Sequence, residues 1–546
     1  MEPVVKSSES VRLIASLVLP SIAERPWAVV IAIIAALMLL ATIFYPFGYD
    51  QAVFSTAGEM ILRGAVPYRD FLDTKPPLIF YIYALALGIF GRHEWSIHAF
   101  DIIYQLLAAY YFFRILRRKC SADISLVAVS ITLILYAGSG FWMTAQAESF
   151  ALLPSLLLVD VTMRMVEMPS RAIYYGLLAG AAAIALLLLK FTLVFGAIAT
   201  IVFLFFYART EAGTKWRYAA GFIVSSILLL AGSAFAMWRV GALDRFLQSL
   251  TWLASYAAIS PAQHSLLEEI FLIFPERVIY SMSISLLVLA AWGIVRWIRK
   301  TERAPLLTLL LMTFLFQLFG VLIERKIEFP YQYTRAVWAI APFMAMGLSE
   351  LIRSLVKFGK VGRNIGIILW VVCVPCVLLL SPLPRIFTQS IPWTRIALDH
   401  EDASAEVQRR IPDYYAEEEQ QVAHYLSKKM APSDQLFFWG NDVAVYFCSN
   451  KLPKTICLTA TPFRTAFTPP EWKSTLLHQL ATVPPKYFVV EFGDARPAIT
   501  GSSLDSYQAL LQWNGLESFL VNRYVSDTTI GHFHILHLTD LSHSSQ

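Results

Sequence analysis

Residues 75–91 read KPPLIFYIYALALGIFG, and the length of this stretch decides how the rest of the chain is threaded. Its apolar part, Pro76 to Gly91, holds 16 residues. As a helix it reaches about 24 Å at about 1.5 Å per residue, short of the roughly 20 residues needed to cross a bilayer core of about 30 Å. Two prolines open it. Read as a span, it inverts every later loop. Read as a re-entrant or surface-lying helix, it leaves residues 46–96 as one long non-cytoplasmic loop.

Positive charge chooses between the two threadings. Counting outward from this stretch, eleven apolar runs are long enough to span: Trp27 to Phe47, then 97–116, 122–138, 149–165, 172–189, 191–207, 218–238, 278–296, 305–323, 335–351 and 364–381. Place the N-terminal residues 1–25, with Lys6, Arg12 and Arg25, in the cytoplasm. The loops that then face the cytoplasm carry Arg117, Arg118 and Lys119; Arg164 and Arg171; Arg209, Lys215 and Arg217; Arg296, Arg299, Lys300 and Arg303; and Arg353, Lys357, Lys360 and Arg363. The opposite connection 139–148 carries no Lys or Arg. This is the bias expected of cytoplasmic loops. Adding Pro76–Gly91 as a twelfth span would turn the basic loops outward. The odd count places the C-terminus outside.

Composition agrees. Of 546 residues, 57% are apolar without counting glycine and only 15% are charged. Soluble domains average about 45–50% apolar with glycine included and about 25% charged. The mean hydropathy is +0.57. Lipid is therefore the solvent for most of the chain, and membrane lipid its constant partner. A net charge of +5, with no basic tail, argues against a nucleic-acid partner. No small-x-small cleavage site follows the first run, so it is expected to remain as a helix. The expected fold is a polytopic α-helical membrane protein of about 11 transmembrane helices, residues 26–381, followed by a non-cytoplasmic domain, 382–546.

That domain begins where charges, prolines and short alternating segments appear. Helices are expected at Glu417–Met430 and Ser506–Trp513, and strands at Gln435–Trp439, Tyr487–Phe492 and His532–Leu538. This is an α/β unit large enough to bury its own core. It has no glycine-rich phosphate loop. The five cysteines show no metal-ligand spacing. Cys448 and Cys457 share the segment, and both a disulfide and two free thiols stay open.

The residues able to do chemistry gather on the non-cytoplasmic face. The long loop contains Tyr49-Asp50-Gln51, then Pro67-Tyr68-Arg69-Asp70, then Asp73-Thr74-Lys75. A carboxylate just beyond a membrane helix can serve as a general base, and Arg69 and Lys75 can bind a phosphate. The connection 139–148 ends in Gln146-Ala147-Glu148. A third outward loop carries Glu324, Arg325, Lys326 and Glu328 before Tyr331, Gln332, Tyr333 and Arg335; two cations followed by tyrosines suit a phosphate-sugar ligand. Tyrosine is equally a membrane-interface anchor. Lys190 interrupts an apolar stretch, in a tight outer turn or facing a cavity, and an intramembrane charge is a functional candidate. No tight carboxylate cluster calls for an ion, so neither metal nor other cofactor is expected.

These motifs resemble GT-C-type membrane glycosyltransferases of the protein O-mannosyltransferase and lipid A aminoarabinose-transferase superfamily, glycosyltransferase family 39-like. The resemblance is carried by Tyr49-Asp50-Gln51, Pro67-Tyr68-Arg69-Asp70, Asp73-x-Lys75-Pro76-Pro77-Leu78, Gln146-Ala147-Glu148 and Phe329-Pro330-Tyr331-x-Tyr333, and covers roughly residues 25–350. It implies a polyprenyl-phosphate-linked sugar donor, a glycan, lipid or protein acceptor, and an inverting transfer on the periplasmic side of a bacterial inner membrane. It implies Asp50 as the acid that deprotonates the acceptor, and Lys75 with Arg325 or Lys326 as the cations on the departing phosphate. Tyr49, Gln51, Tyr68, Asp73, Gln146, Lys190, Tyr331 and Tyr333 are the associated substrate-binding candidates. Many relatives have Asp-Glu where this chain has Asp50-Gln51, so either Asp50 works alone or Glu148 supplies a further carboxylate. A lipid-linked-sugar flippase and a polysaccharide ligase or polymerase are the alternative readings.

Overall fold

The structure, a computed structural model, describes residues 26–259, 265–299, 304–324, 329–361 and 383–539. Residues 1–25, the eleventh expected span at 364–381, and Arg325 and Lys326 lie outside the described residues. Among the described residues, seven helices are long and apolar enough to cross a membrane: Pro26–Phe44, Trp95–Leu116, Ala147–Glu167, Pro169–Leu189, Ala212–Arg239, Pro305–Glu324 and Pro330–Ser354. Three shorter apolar helices are Leu78–Phe90, Ala122–Ala137 and Phe191–Tyr207.

Side-chain exposure explains why this is an integral membrane protein. Val30, Ile33, Leu37 and Leu40 are exposed on the first helix, and Ile223, Ile227, Leu228 and Phe235 on Ala212–Arg239. Contiguous apolar faces of this kind are not stable in water. With no hydrophobic drive between helices in lipid, close packing must hold the bundle, and small residues permit it. A Cβ added at Gly176 would stand 2.1 Å from the carbonyl oxygen of Tyr218, and one at Gly221 would stand 2.3 Å from that of Ile173. Helices Ala172–Leu189 and Ala212–Arg239 therefore touch backbone to backbone. Gly293 and Gly347 make a second such crossing, against Phe343 and Leu289.

One expected span is not straight. The run 278–296 divides into Phe274–Met282 and Ile284–Ile298, and the helical segments on either side of the break are bent by 90°. Ser283 turns the corner with φ at +69°, in the left-handed region that a non-glycine residue enters at a cost. Leu78–Phe90 has 13 residues, about 20 Å of helix. It packs against helix Tyr49–Leu62, with Phe80 and Tyr83 set against Phe54.

The C-terminal part carries a four-stranded sheet in the order β1-β2-β4-β3, with β1 Leu436–Trp439, β2 Tyr487–Glu491, β3 Tyr524–Ile530 and β4 Phe533–Leu538. β1 and β2 are parallel; β4 runs antiparallel to both β2 and β3. Every residue of β1 and β2 is buried, as expected for strands covered on both faces. Cys448 and Cys457 are both free. The sheet domain is stitched to the membrane part. The backbone N–H of Leu72 donates to the carbonyl of Ile456 at 2.8 Å, and the Trp252 indole, on helix Leu243–Ile259, donates to Thr465 at 3.0 Å.

Candidate active site

The first cluster grows from the N-terminus of helix Tyr49–Leu62. Gly48 precedes the helix, and its N–H donates to the Gln51 side-chain oxygen at 2.9 Å. The Gln51 amide nitrogen donates in turn to the carbonyls of Phe141 at 2.8 Å and Thr144 at 2.9 Å. Gln51 is fully buried, and its amide ties the helix start to the 141–144 turn. A glutamate there would set acceptor against acceptor, which accounts physically for the Asp-Gln pair. Asp50, one residue earlier in the first turn, is left to face Lys75.

Lys75 is aimed by its own loop. Its backbone N–H donates to Asp73 at 2.8 Å, its carbonyl accepts from the Tyr68 hydroxyl at 2.6 Å, and its ammonium stands 4.7 Å from the centre of the Phe54 ring. Tyr68 reaches that carbonyl from a left-handed backbone, φ +67°. The ammonium meets Asp50 Oδ1 at 2.8 Å. Burial works against the Lys75 charge, but Asp50 and Asp73 outweigh it and hold the amine above its ordinary value. Burial also raises the Asp73 carboxyl, against the pull of Lys75. Arg69 stands apart from this pair, with its guanidinium given to Asp70 through contacts of 2.9 and 2.6 Å. On the other side, the Arg496 guanidinium from the C-terminal domain lies 5.2 Å over the Tyr49 ring and 3.6 Å from Asp442.

The second cluster is built from four loops and helix ends. Lys190, in extended backbone between helices Ala172–Leu189 and Phe191–Val194, bonds Glu148 Oε1 at 2.6 Å and pairs with Glu324. Arg335 bonds Glu148 Oε1 at 3.1 Å, Glu324 Oε2 at 2.9 Å and the Thr192 hydroxyl at 2.8 Å. Thr192 donates to Glu324 at 2.7 Å. The Tyr331 ring lies 5.5 Å from the Lys190 ammonium. Beside Glu148 opens a cavity of ≈ 40 Å³ lined by Gln105, Tyr136, Ser139, Pro330 and Trp338 among others, room for a few waters.

Of the candidates named from sequence, Asp50, Tyr68, Asp73 and Lys75 come together in the first cluster, and Glu148, Lys190 and Tyr331 in the second. Gln146 is buried and donates to the Trp142 carbonyl at 3.0 Å. Tyr333 packs against Phe274. From sequence, Glu324 and Arg335 stand only as parts of a loop, and Thr192 carries no signal of its own. The missed signal was Arg335, an arginine one turn inside an apolar span, where a charge has to find partners. Among the described residues no group of three or more His, Cys, Asp or Glu is arranged to hold a metal ion.

The architecture defines the class: a polytopic GT-C membrane fold. Residues 74–238 match the family model described as Dolichyl-phosphate-mannose-protein mannosyltransferase. The chain is structurally similar to ArnT from Cupriavidus metallidurans bound to undecaprenyl phosphate, with a TM-score of 0.59 and 13% identity over 94% of this chain and 98% of that one. The apo state of the same protein gives 0.58 with the same identity and coverage. A search of curated proteins finds no sequence match. The likeness to GT-C glycosyltransferases read from the motifs therefore holds in the fold and in the matched family segment.

Proposed function

We propose that the protein is an inner-membrane glycosyltransferase. It takes a sugar from a polyprenyl-phosphate donor and places it on a glycan, lipid or protein acceptor at the periplasmic face. The observation that carries this reading is the Asp50–Lys75 pair, 2.8 Å apart, at the end of the first membrane helix of a GT-C bundle. The undecaprenyl phosphate held by the similar ArnT structure supports the donor class.

The chemistry follows from the two groups. Asp50 takes the proton of the acceptor hydroxyl as its oxygen attacks the anomeric carbon from the face opposite the phosphate. The carbon–oxygen bond to the phosphate breaks, and its electron pair leaves with the polyprenyl phosphate. The anomeric configuration inverts. Negative charge grows on the phosphate in the transition state, so a fixed cation there lowers the barrier. Lys75 supplies it by exchanging Asp50 for a phosphate oxygen. Side-chain cations carry the charge in this reading, and transfer is expected to survive chelation of divalent metal.

The test is sugar transfer from polyprenyl-phosphate donors by the purified protein in liposomes, read by product mass. A new glycosidic bond made by the wild type and absent with Asp50→Asn supports the proposal. Movement of lipid-linked sugar across the bilayer without a new bond would replace it with the flippase reading. Transfer of a preassembled chain would replace it with the ligase.

A further inference from the structure

The C-terminal sheet has two ends of different character. Beyond the carboxyl ends of the parallel strands β1 and β2 stand Asp442 and Arg496, and Arg496 reaches over the Tyr49 ring beside Asp50. The amino ends lie the length of β1 away, about 13 Å at about 3.3 Å per residue. There a groove of ≈ 350 Å³ opens between the start of β1, the end of helix Pro470–Thr482 and residues 454–455. Small-molecule sites run from about 300 to 1,000 Å³.

The lining is suited to a sugar. Gln435, Lys454, Thr455, His478, Gln479 and Thr482 supply its polar groups, and no Asp or Glu is among the lining residues. The Gln479 side-chain oxygen accepts from the Ile456 N–H at 2.9 Å, which leaves the amide N–H groups to spare. Among the described residues, the Gln435 amide, the Lys454 ammonium and the His478 ring have no hydrogen-bond or ion-pair partner. Val483, 49% exposed, and Pro485 add apolar surface. Unspent donors beside exposed carbon match a pyranose, which carries hydroxyls at its rim and C–H groups on its faces.

Charge makes that sugar an anionic one. Lys428 and Lys429 close the helix that leads to this end of the sheet, Lys451 donates to the Ala431 carbonyl, and Lys486 pairs with Asp434 at 2.7 Å. The carboxylates at this end are committed, Asp434 to Lys486 and Asp527 to the Tyr425 hydroxyl at 2.6 Å. Lys454 is left as an exposed cation at the groove. A lipid headgroup is the poorer fit, because the groove lies at the end of the sheet turned away from Tyr49.

The groove and the active loop share one frame. Gln479 holds the N–H of Ile456, and the carbonyl of the same residue accepts from Leu72, three residues before Lys75. The groove helix is also tied to helix Leu243–Ile259, since the Trp472 indole donates to the Gln248 side chain at 2.6 Å.

We propose that this groove binds an anionic oligosaccharide, a stretch of the acceptor glycan away from the hydroxyl that reacts at Asp50. Its role in holding the acceptor rests on the glycosyltransferase reading above; binding itself does not. Lys454 meets a carboxylate or phosphate of the glycan in a charge-assisted hydrogen bond. The two glutamine amides and His478 take its hydroxyls.

Equilibrium binding to the purified full chain in detergent, with no donor present, tests this. The probes are tetragalacturonate and maltotetraose phosphate as acidic sugars, maltotetraose as a neutral sugar, and tetraglutamate as an anion without sugar. At least one acidic sugar is expected to bind at least tenfold more tightly than maltotetraose and tetraglutamate. Lys454→Ala combined with His478→Ala, both at exposed positions, should weaken that binding at least tenfold with the melting temperature held. Failure of both acidic sugars to bind, equal binding of tetraglutamate, or unchanged affinity in the double variant overturns the proposal. A protein that transfers sugar yet binds neither acidic probe would sink this inference and leave the transferase reading standing. A protein that binds one of them in the groove yet makes no glycosidic bond would overturn the acceptor role along with that reading.

Discussion

The Asp50–Lys75 pair and the Glu148–Lys190–Glu324–Arg335 quartet are both neutral, both at loop ends of the same bundle, and built on opposite principles. The pair is open. One carboxylate and one amine meet across a single contact, and the loop holds the amine by its backbone rather than its charge. The quartet is closed, with a fully buried arginine inside it whose three nitrogens are all engaged. A single contact can be exchanged for a substrate at little cost. A network in which one carboxylate serves two cations resists exchange, because breaking one bond leaves another charge buried. Under the proposed function, the reacting proton belongs to the pair and the fixed charge to the quartet.

The strongest way to break it is Asp50→Asn. If Asp50 is the base, transfer falls by about 10²- to 10⁴-fold, the range that general-base catalysis contributes, while the protein still extracts and melts as wild type. Near-normal transfer would remove Asp50 from the mechanism. The pH dependence sharpens the same point. Lys75 is held above its ordinary value, so the amine stays charged throughout the range below the unfolded value of about 10.4. Any stability the pair adds is present there and is lost only as pH rises past the raised folded value. The kcat/KM profile should then show no alkaline limb from Lys75 below about pH 9. A limb near neutrality would mean that the amine is not charged as the geometry requires.

The quartet predicts damage of another kind. Arg335→Met leaves the buried Glu148 and the partly buried Glu324 facing Lys190 alone. Removing one partner of a buried ion pair costs about 3–5 kcal/mol, so this variant should show a large drop in melting temperature in detergent. An Arg335 variant that melts normally yet loses activity would give Arg335 a direct role and end the contrast.

Gln51→Glu probes the boundary of the open pair. It removes an amide that donates to two buried carbonyls and replaces it with a carboxylate. Leaving buried polar groups unmatched costs about 1–3 kcal/mol, to be read as reduced thermal stability. A variant as stable as wild type, with higher activity, would show that the site accepts a second acid at this position.

How much of this could be read from sequence depends on whether the signal was local. The apolar runs gave the membrane helices, because 20 apolar residues have few other uses. Asp50 and Lys75 stood in one loop, 25 residues apart, and were legible as a pair. The quartet draws on positions 148, 190, 324 and 335, and only packing of the bundle brings these together. Its most buried member, Arg335, sat in plain view at the start of an apolar span. The 90° break at Ser283 had no proline or glycine at the corner to announce it. β3 escaped notice because Tyr524–Ile530 is mostly polar and half exposed, an edge strand without apolar alternation.

Arg69 supplies the smallest expected effect and the cleanest control. By sequence it stood beside Lys75 as a second phosphate cation. In the structure its guanidinium is turned to Asp70, more than two-fifths exposed, and its carbonyl accepts from Arg245 at 2.7 Å. An exposed ion pair of this kind is worth about 0–1 kcal/mol. Arg69→Ala should therefore leave transfer and donor KM within about twofold of wild type, since the backbone carbonyl that Arg245 uses is kept and about twofold corresponds to well under 1 kcal/mol. A tenfold rise in donor KM for Arg69→Ala would mean that the loop rearranges to deliver Arg69 to the phosphate. The open cluster would then hold two exchangeable cations, and its simplicity beside the quartet would be a property of the substrate-free state alone.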